Sequence, residues 1–273
     1  MNPTKIEWCD YSSNPIYATA GKRGWFCEKV SPGCAHCYAS TMNEGRFGNG
    51  LEFVPANRKL VEFHLNLKEL MEWQKPKYAG KRVFAFDMTD LFGEWVSDEW
   101  LMDIFAAMER SPLTFLILTK RPERMKEIVI RYQRANLKLR GGEYGADGSW
   151  RGEYGVLENL WLGVTVENQH WADARIPILL DTPAAVRFLS CEPMLGPMWL
   201  RLSQEMGWPV DWVIVGGESG PRHRPFDSAW ARSIVAQCKD AGVACFVKQL
   251  GGFHPGNKIE ELPEDLRVRE FPR

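Results

Sequence analysis

Cys27, Cys34 and Cys37 fall within eleven residues, in the run CEKVSPGCAHC. The spacing is C-x6-C-x2-C. Ser31, Pro32 and Gly33 read as a turn just before Cys34, and glycine lets the backbone come round. The two residues between Cys34 and Cys37 let both sulfurs face one centre. Three thiolates in a loop suit an iron–sulfur cluster. Their number matters, because structural zinc takes four protein ligands and an electron-transfer 4Fe–4S cluster takes four cysteines. Three leave one iron open to an external chelate, such as the amino and carboxylate groups of S-adenosylmethionine. Reductive cleavage of the sulfonium would then deliver a carbon radical. Two other readings stand beside this one: a zinc site completed by Cys9, His36 or His64, and three cysteines with no ligand. His36 is the poorest of the three helpers, since it sits between two ligands and is expected to face away.

The rest of the composition constrains where such chemistry would occur. The chain has 273 residues and seven cysteines, the other four being Cys9, Cys191, Cys238 and Cys245. An odd count, with no apolar signal core in MNPTKIEWCD, argues against a secreted disulfide framework. The expectation is a reducing cytoplasmic compartment (that of a bacterial host if the chain is phage-encoded). No apolar run approaches the ~20 residues of a membrane span. With 34 Lys and Arg against 35 Asp and Glu, the net charge is −1. Bulk electrostatics therefore say nothing for nucleic acid, although a local basic patch remains open.

The elements that must position the cysteines follow a strand–helix rhythm. Apolar runs recur at 83–90, 113–122, 160–168, 185–193, 211–220 and 244–252. Continuous apolar runs suit parallel strands covered on both faces. A further strand is expected near Lys5–Cys9. Between the runs lie helical stripes, one after Ser97 (Leu101, Ile104, Phe105, Met108) and one after Asp227 that closes at Gly242. A helix is also expected at about 59–73. This is an α/β fold, and both an open doubly wound sheet and a full or partial TIM-like (β/α) barrel fit it. Polar residues at the C-terminal strand ends favour the barrel, because there they converge on one mouth. They are Asp87, Thr89, Asp90, Lys120, Arg121, Thr165, Glu167, Glu192, Glu218, Lys248 and Gln249. The chain reads as a single domain, 1–273, with the cysteine loop after the first strand, a glycine-rich insertion at 140–157 and a tail at 252–273.

Several of these residues invite chemical roles. Lys120, Arg121, Arg222, Arg224 and Gln249 suit substrate carboxylate, phosphate or amide groups. Glu192 and Lys248 are catalytic candidates, with Cys191 as a hydrogen-atom donor or simply a packed small residue. The stretch from Lys120 to Arg140 carries eight cations against Glu123 and Glu127, so it either follows a phosphate backbone or is a solvated helix face. Lys22 and Arg23, with Tyr144, Trp150 and Tyr154 of the insertion, suggest a basic and aromatic rim for unpaired bases.

TKIEW, SPGCAHCYA, SCEPMLGP, VIVGGESGP, RPF and FVKQLGG together resemble a phage- and bacteria-associated family of three-cysteine-motif proteins. That family is regarded as similar to radical S-adenosylmethionine enzymes and distantly to spore photoproduct lyase. The resemblance runs from about residue 4 to 252. It implies a (β/α) barrel, a 4Fe–4S cluster on Cys27, Cys34 and Cys37, S-adenosylmethionine and an external electron donor; the substrate does not come with the fold. Two features depart from radical enzymes at large. Their cysteine spacing is commonly C-x3-C-x2-C, and their Gly-Gly-Glu follows the second strand, whereas Gly216-Gly217-Glu218 follows a late one. By position Asp87, Thr89 and Asp90 are better placed for the methionine ammonium, and Thr165, Glu167 and Asn168 for the ribose hydroxyls. The expected substrate is a nucleobase or hypermodified thymine of phage DNA, with no membrane partner. The alternative is a zinc-stabilised nucleic-acid-binding module without catalysis. No nucleophile–base motif marks a hydrolase.

Overall fold

The computed structural model describes residues 1–139, 143–144, 150–151, 156–202, 210–253 and 258–272, the side chains from 136 to 155 excepted. Its main sheet has eight strands: β1 (Asn2–Pro3), β2 (Tyr11–Ser13), β6 (Arg82–Ala85), β7 (Thr114–Thr119), β10 (Leu160–Thr165), β11 (Val186–Cys191), β12 (Trp212–Gly216) and β13 (Ala244–Gln249). They lie side by side in chain order. All neighbours are parallel except the β1–β2 pair at the edge. Between β2 and β6 the chain makes a second, antiparallel sheet from β3 (Ile16–Ala20), β4 (Lys22–Gly24) and β5 (Glu62–Leu65). The same stretch carries α1 (Tyr38–Glu44) and α2 (Leu67–Glu72). In the 140–157 insertion, β8 (Glu143–Tyr144) pairs with β9 (Trp150–Arg151). No helix among the described residues is long and apolar enough to cross a membrane.

Helices α3 (Asp98–Glu109), α4 (Pro122–Leu139), α5 (Gln169–Leu180) and α6 (Ser228–Ala241) link the later strands. Their starts are set by side-chain caps: Ser97 accepts from Trp100 N, Asn168 from Trp171 N and Asp227 from Ala229 N. Gly242 closes α6 in the left-handed conformation, φ 68°. The α3 stripe Leu101, Ile104, Phe105 and Met108 is buried with one face of the sheet, where Val83, Ile117, Val164, Leu189, Val215 and Val247 point. The alternate residues, Phe84, Leu116, Phe188, Trp212, Ile214 and Phe246, form a separate apolar cluster on the other face. Period-two alternation thus divides each strand between two cores.

That second core shows that the sheet curls. Trp8 touches Phe84 of β6 at 4.7 Å between ring centres and Trp212 of β12 at 6.1 Å, whereas four interstrand spacings of a flat sheet span roughly 19 Å. The sheet is nevertheless open: among the described residues β13 does not pair with β1, so a closed barrel is not formed. Two local expectations are corrected. The first parallel strand lies at Tyr11–Ser13 rather than Lys5–Cys9, because Trp8 and Cys9 plug the interior cluster. Asp10 then starts the ladder, through Asp10 N to Arg82 O at 2.9 Å and Arg82 N to Asp10 Oδ2 at 2.9 Å. The stretch 59–73 is α-helical only at Leu67–Glu72, after the end of a 3-10 helix at Pro55–Leu60. Its front half forms β5 against β3, and Asn66 caps the short helix α2.

Trp212 contacts Trp8, Trp161, Phe188, Phe246 and Phe271, and so ties both ends of the chain to the inner face of the sheet. Trp212→Ala is expected to lower the unfolding free energy by about 3–5 kcal/mol. Trp199→Ala, at a residue 64% exposed, should stay within about 0.5 kcal/mol. Urea titrations of the two variants check this.

Candidate functional site

The inner face changes character along the strands. Below lie Phe84, Leu116, Phe188 and Phe246. Two or four residues on, at the C-terminal ends, the same face carries Lys120, Thr165, Glu192, Gly216 and Lys248. Room is made by glycine: a Cβ at Gly163 would meet the Phe188 ring at 2.4 Å, and one at Gly216 would meet Glu192 Oε1 at 2.5 Å. Glu192 Oε1 pairs with Lys248 Nζ at 3.0 Å, both part-exposed. Just past the end of β6 stands Phe86, a bulky residue at φ 65°. Such strain costs about 1–3 kcal/mol and persists where surroundings impose it. Here Phe86 N binds Ser13 O at 2.8 Å and Met88 N binds Asn14 Oδ1 at 3.0 Å. Asp87 between them accepts from Asn14 Nδ2 at 2.6 Å and Tyr38 Oη at 3.2 Å. Burial raises its carboxyl above the usual range, and these two donors only partly offset that.

The cysteine loop lies across these strand ends. Ser31 Oγ donates to Glu167 Oε1 at 2.5 Å, and Arg224 donates to Pro32 O at 3.0 Å. His36 Nδ1 meets Glu218 Oε2 at 3.1 Å, Arg121 donates to Glu28 O at 3.2 Å and Thr89 Oγ1 to Phe26 O at 2.6 Å. Gly33 is required at its place, since a Cβ there would stand 2.6 Å from Glu167 Oε1. All three cysteines are free and part-exposed, while Cys9, Cys191, Cys238 and Cys245 are buried. Cys27 and Cys37 pack against the same apolar cluster of Ala39, Phe53 and Met88. Cys34 Sγ lies 3.7 Å from Ser31 Oγ. Burial pushes the Cys27 thiol up to about 12; Asp90 adds to this and Arg121 opposes it. Among the described residues no three His, Cys, Asp or Glu side chains are drawn together as a finished metal shell. The loop gathers the donors without folding them onto a centre.

Over residues 3–268 the sequence matches the family model described as protein of unknown function, DUF5131. The chain belongs to that family. No curated protein and no solved structure matches it significantly.

Within this family member the polar residues sort by what holds them. Asp90 is filled by Thr119 Oγ1 (2.7 Å), Arg121 (3.0 Å) and the amides of Phe92 and Lys120 (both 3.1 Å), so it fastens β6 to β7. Thr89 takes Trp95 Nε1 at 3.2 Å besides binding Phe26, and Asn168 caps α5. These three are structural. Gln249 Nε2 donates to Gly217 O at 2.9 Å and pins the Gly216-Gly217-Glu218 turn, where a Cβ on Gly217 would strike Leu250 O at 2.7 Å. Glu218 is committed to Arg224 and His36 rather than to the mouth. Arg222 is exposed. Cys191 is buried on the helix-covered face, opposite to Glu192, which removes it as a hydrogen-atom donor at the mouth. Thr165 and Glu167 are fully buried there. Glu167 lies 3.7 Å from Lys120 Nζ and 3.6 Å from Arg175, and its Oε2 has no hydrogen-bond partner.

Five of the eight cations of the 120–140 stretch are in ion pairs, while Arg134 is exposed and in none among the described residues. Lys120 and Arg121 face Glu167 and Asp90; Arg124 and Arg131 share Asp98, and Lys126 pairs with Asp181. Lys138, Arg140 and the aromatic side chains of the insertion lie outside the described residues. Sequence reasoning missed Asn14, Ser31, Tyr38 and Arg175. Ser31 and Tyr38 flank the cysteines and could have been found by adjacency. Arg175 carries no local signal, since its partner lies on another element.

Burial pushes the Glu218 carboxyl up, but the Arg224 and His36 pairs outweigh it and lower it from 4.5 to about 2. A depressed folded-state value gives stability that is present above the unfolded value and lost as pH falls through the folded one. Wild-type stability should therefore decline between pH 4.5 and about 2, and Glu218→Gln should flatten that limb. Urea midpoints measured across the range check the sign.

Proposed function

We propose that this chain is a radical S-adenosylmethionine enzyme. In this reading Cys27, Cys34 and Cys37 hold a 4Fe–4S cluster with one iron open, and the substrate is a nucleobase or a hypermodified thymine of phage DNA. The observation that carries the reading is the cysteine loop itself. Three free, part-exposed thiols sit on one segment fastened across the C-terminal ends of parallel strands in sequential order. The donor set fits three corners of such a cluster. A fourth protein ligand is not offered by the residues that zinc would need: His36 faces Glu218, His64 bonds Thr19 and stacks on Tyr17, and Cys9 is packed beneath Trp8. A curled, open, sequentially ordered sheet is what a partial (β/α) barrel requires.

When bound, the cluster and S-adenosylmethionine together would supply one-electron reduction of the sulfonium, fed by an external electron donor. The chain's own part is to bind, orient and exclude water. Asp87, fixed by Asn14 and Tyr38 beside Cys37, is the acceptor for the methionine ammonium. Thr165 and the unpartnered Glu167 Oε2 are the acceptors for the ribose hydroxyls. Glu192 and Lys248 line the inner face where substrate polar groups would arrive, with Lys120 and Arg121 behind them. The aromatic cluster below closes the floor to water.

Anaerobic reconstitution of the full chain tests this. About four iron and four sulfide per chain are expected, with 5′-deoxyadenosine formed on addition of dithionite and S-adenosylmethionine. Cys34→Ala should abolish the product. Colourless protein carrying one zinc per chain, unchanged in Cys34→Ala, would sink the reading.

A further inference from the structure

The paired cations of α4 leave open where a polynucleotide would lie, and a different surface has the required chemistry. Helix α1 starts at Cys37 and ends beside the β3–β4 hairpin. Asn43 and Asn49 stitch the two together. Asn43 Oδ1 accepts from Trp25 N at 2.7 Å, and Asn49 Nδ2 donates to Trp25 O at 3.1 Å and Ala18 O at 3.4 Å; the two asparagines bond each other at 2.8 Å. Gly24 and Gly48 permit this close packing, since a Cβ on Gly24 would stand 2.2 Å from Asn49 N across the two segments and one on Gly48 2.2 Å from Asn43 Cα within the α1 segment. Arg23 therefore flanks the same buried hub as Arg46 and Phe47.

What this tip shows to solvent is planar and cationic. The Arg46 guanidinium lies 4.9 Å from the ring of Phe47, which is 64% exposed. The Arg23 guanidinium lies 4.1 Å over Tyr17, which itself stacks on His64 at 4.9 Å. Met42 and Tyr38, both exposed, continue the stripe one turn apart along α1 to Cys37. At seven residues the helix spans roughly 10 Å, so the tip and the cysteines are within reach of one nucleotide strand. Residues 16–24 and 38–51 carry Lys22, Arg23 and Arg46 against Glu44 alone. Among the described residues none of these three cations is in an ion pair, in contrast to the five on and beside α4. Exposed aromatic faces interleaved with unpaired cations are how proteins hold unpaired bases and their phosphates.

We infer that the tip of α1 and the β3–β4 hairpin binds an unpaired DNA strand and leads it to the cysteine-bearing mouth. The inference rests on the nucleobase reading above and names the surface that serves it. An acidic electron-donor protein would also be drawn by the cations, but it has no need of stacked guanidinium and ring planes.

Fluorescence anisotropy of the full chain with a fluorescein-labelled single-stranded DNA of mixed sequence tests the surface without reductant or S-adenosylmethionine. The Arg46→Ala/Phe47→Ala pair should weaken binding about tenfold or more, and Arg23→Ala should reduce its salt dependence. Circular dichroism melts should match wild type, because these side chains are exposed. Unchanged single-strand affinity in these variants, tighter binding of RNA than of DNA, or loss of an acidic flavodoxin's binding with DNA binding intact would each overturn the inference. Because binding is read without turnover, failure to form 5′-deoxyadenosine would count against the radical reading and leave this surface standing.

Discussion

A loop whose only regular element between Cys27 and Cys37 is the short 3-10 turn at Pro32–Cys34 holds its course only if its backbone is gripped from outside. Here the grip comes from charged and hydroxyl side chains at the C-terminal ends of the strands. Glu167 takes the Ser31 hydroxyl, Arg224 takes the Pro32 carbonyl, Arg121 takes the Glu28 carbonyl and Thr89 the Phe26 carbonyl. Three of the gripping side chains are themselves held by others: Arg121 by Asp90, Arg224 by Glu218, Glu167 by Lys120 and Arg175. Two layers of polar contacts therefore stand between the hydrophobic strands and the cysteines. Hydrogen bonds to charged groups are the stronger kind, and in a buried setting losing one partner strands the other. The geometry of the cysteine loop thus depends on charges many residues away in sequence.

Much of the scaffold was legible because it obeys short-range rules. The six later strands were visible as apolar runs, and the ends of α3 and α6 as Ser97, Asp227 and Gly242, each using a local backbone–side-chain preference. The errors arose where tertiary contacts decide. Glu62–Leu65 reads as the front of a helix until β3 is available to pair with it. Lys5–Cys9 has strand-like residues, but Trp8 is worth more inside the aromatic cluster than on a sheet edge. At the site, residue type alone misled: Asp90, Thr89 and Asn168 are what a ligand site uses, and also what a turn and a helix cap use. Cys191 could have been placed by alternation, since Glu192 and Cys191 cannot share a face of one strand.

Charge is the clearest case of a pattern that sequence cannot resolve. The 120–140 stretch looks strongly basic when counted along the chain. In space five of its eight cations meet Asp90, Asp98, Glu167 and Asp181, which come from other parts of the fold. The α1–hairpin tip has fewer cations and a weaker linear signal, yet its guanidinium groups rest on rings rather than carboxylates. A cation over an aromatic face keeps its full charge and its free donors. What matters for recruiting an anion is therefore the partner of each cation.

The same molecule separates where it is stable from where it is uncomfortable. Its inner floor is a closed cluster of rings around Trp212, with every large group in contact with another. Its mouth carries Phe86 in a left-handed conformation and Glu167, fully buried, with one carboxylate oxygen unmatched. An unsatisfied buried acceptor costs about 1–3 kcal/mol, and a core residue freely chosen for stability would not be an acid. That cost sits directly under the cysteine loop, 3.7 Å from Lys120 Nζ and beneath Gly33. Backbone strain at Phe86 and the unmatched oxygen of Glu167 thus lie at the same end of the sheet as the cysteine loop, while the rings at the other end are fully packed.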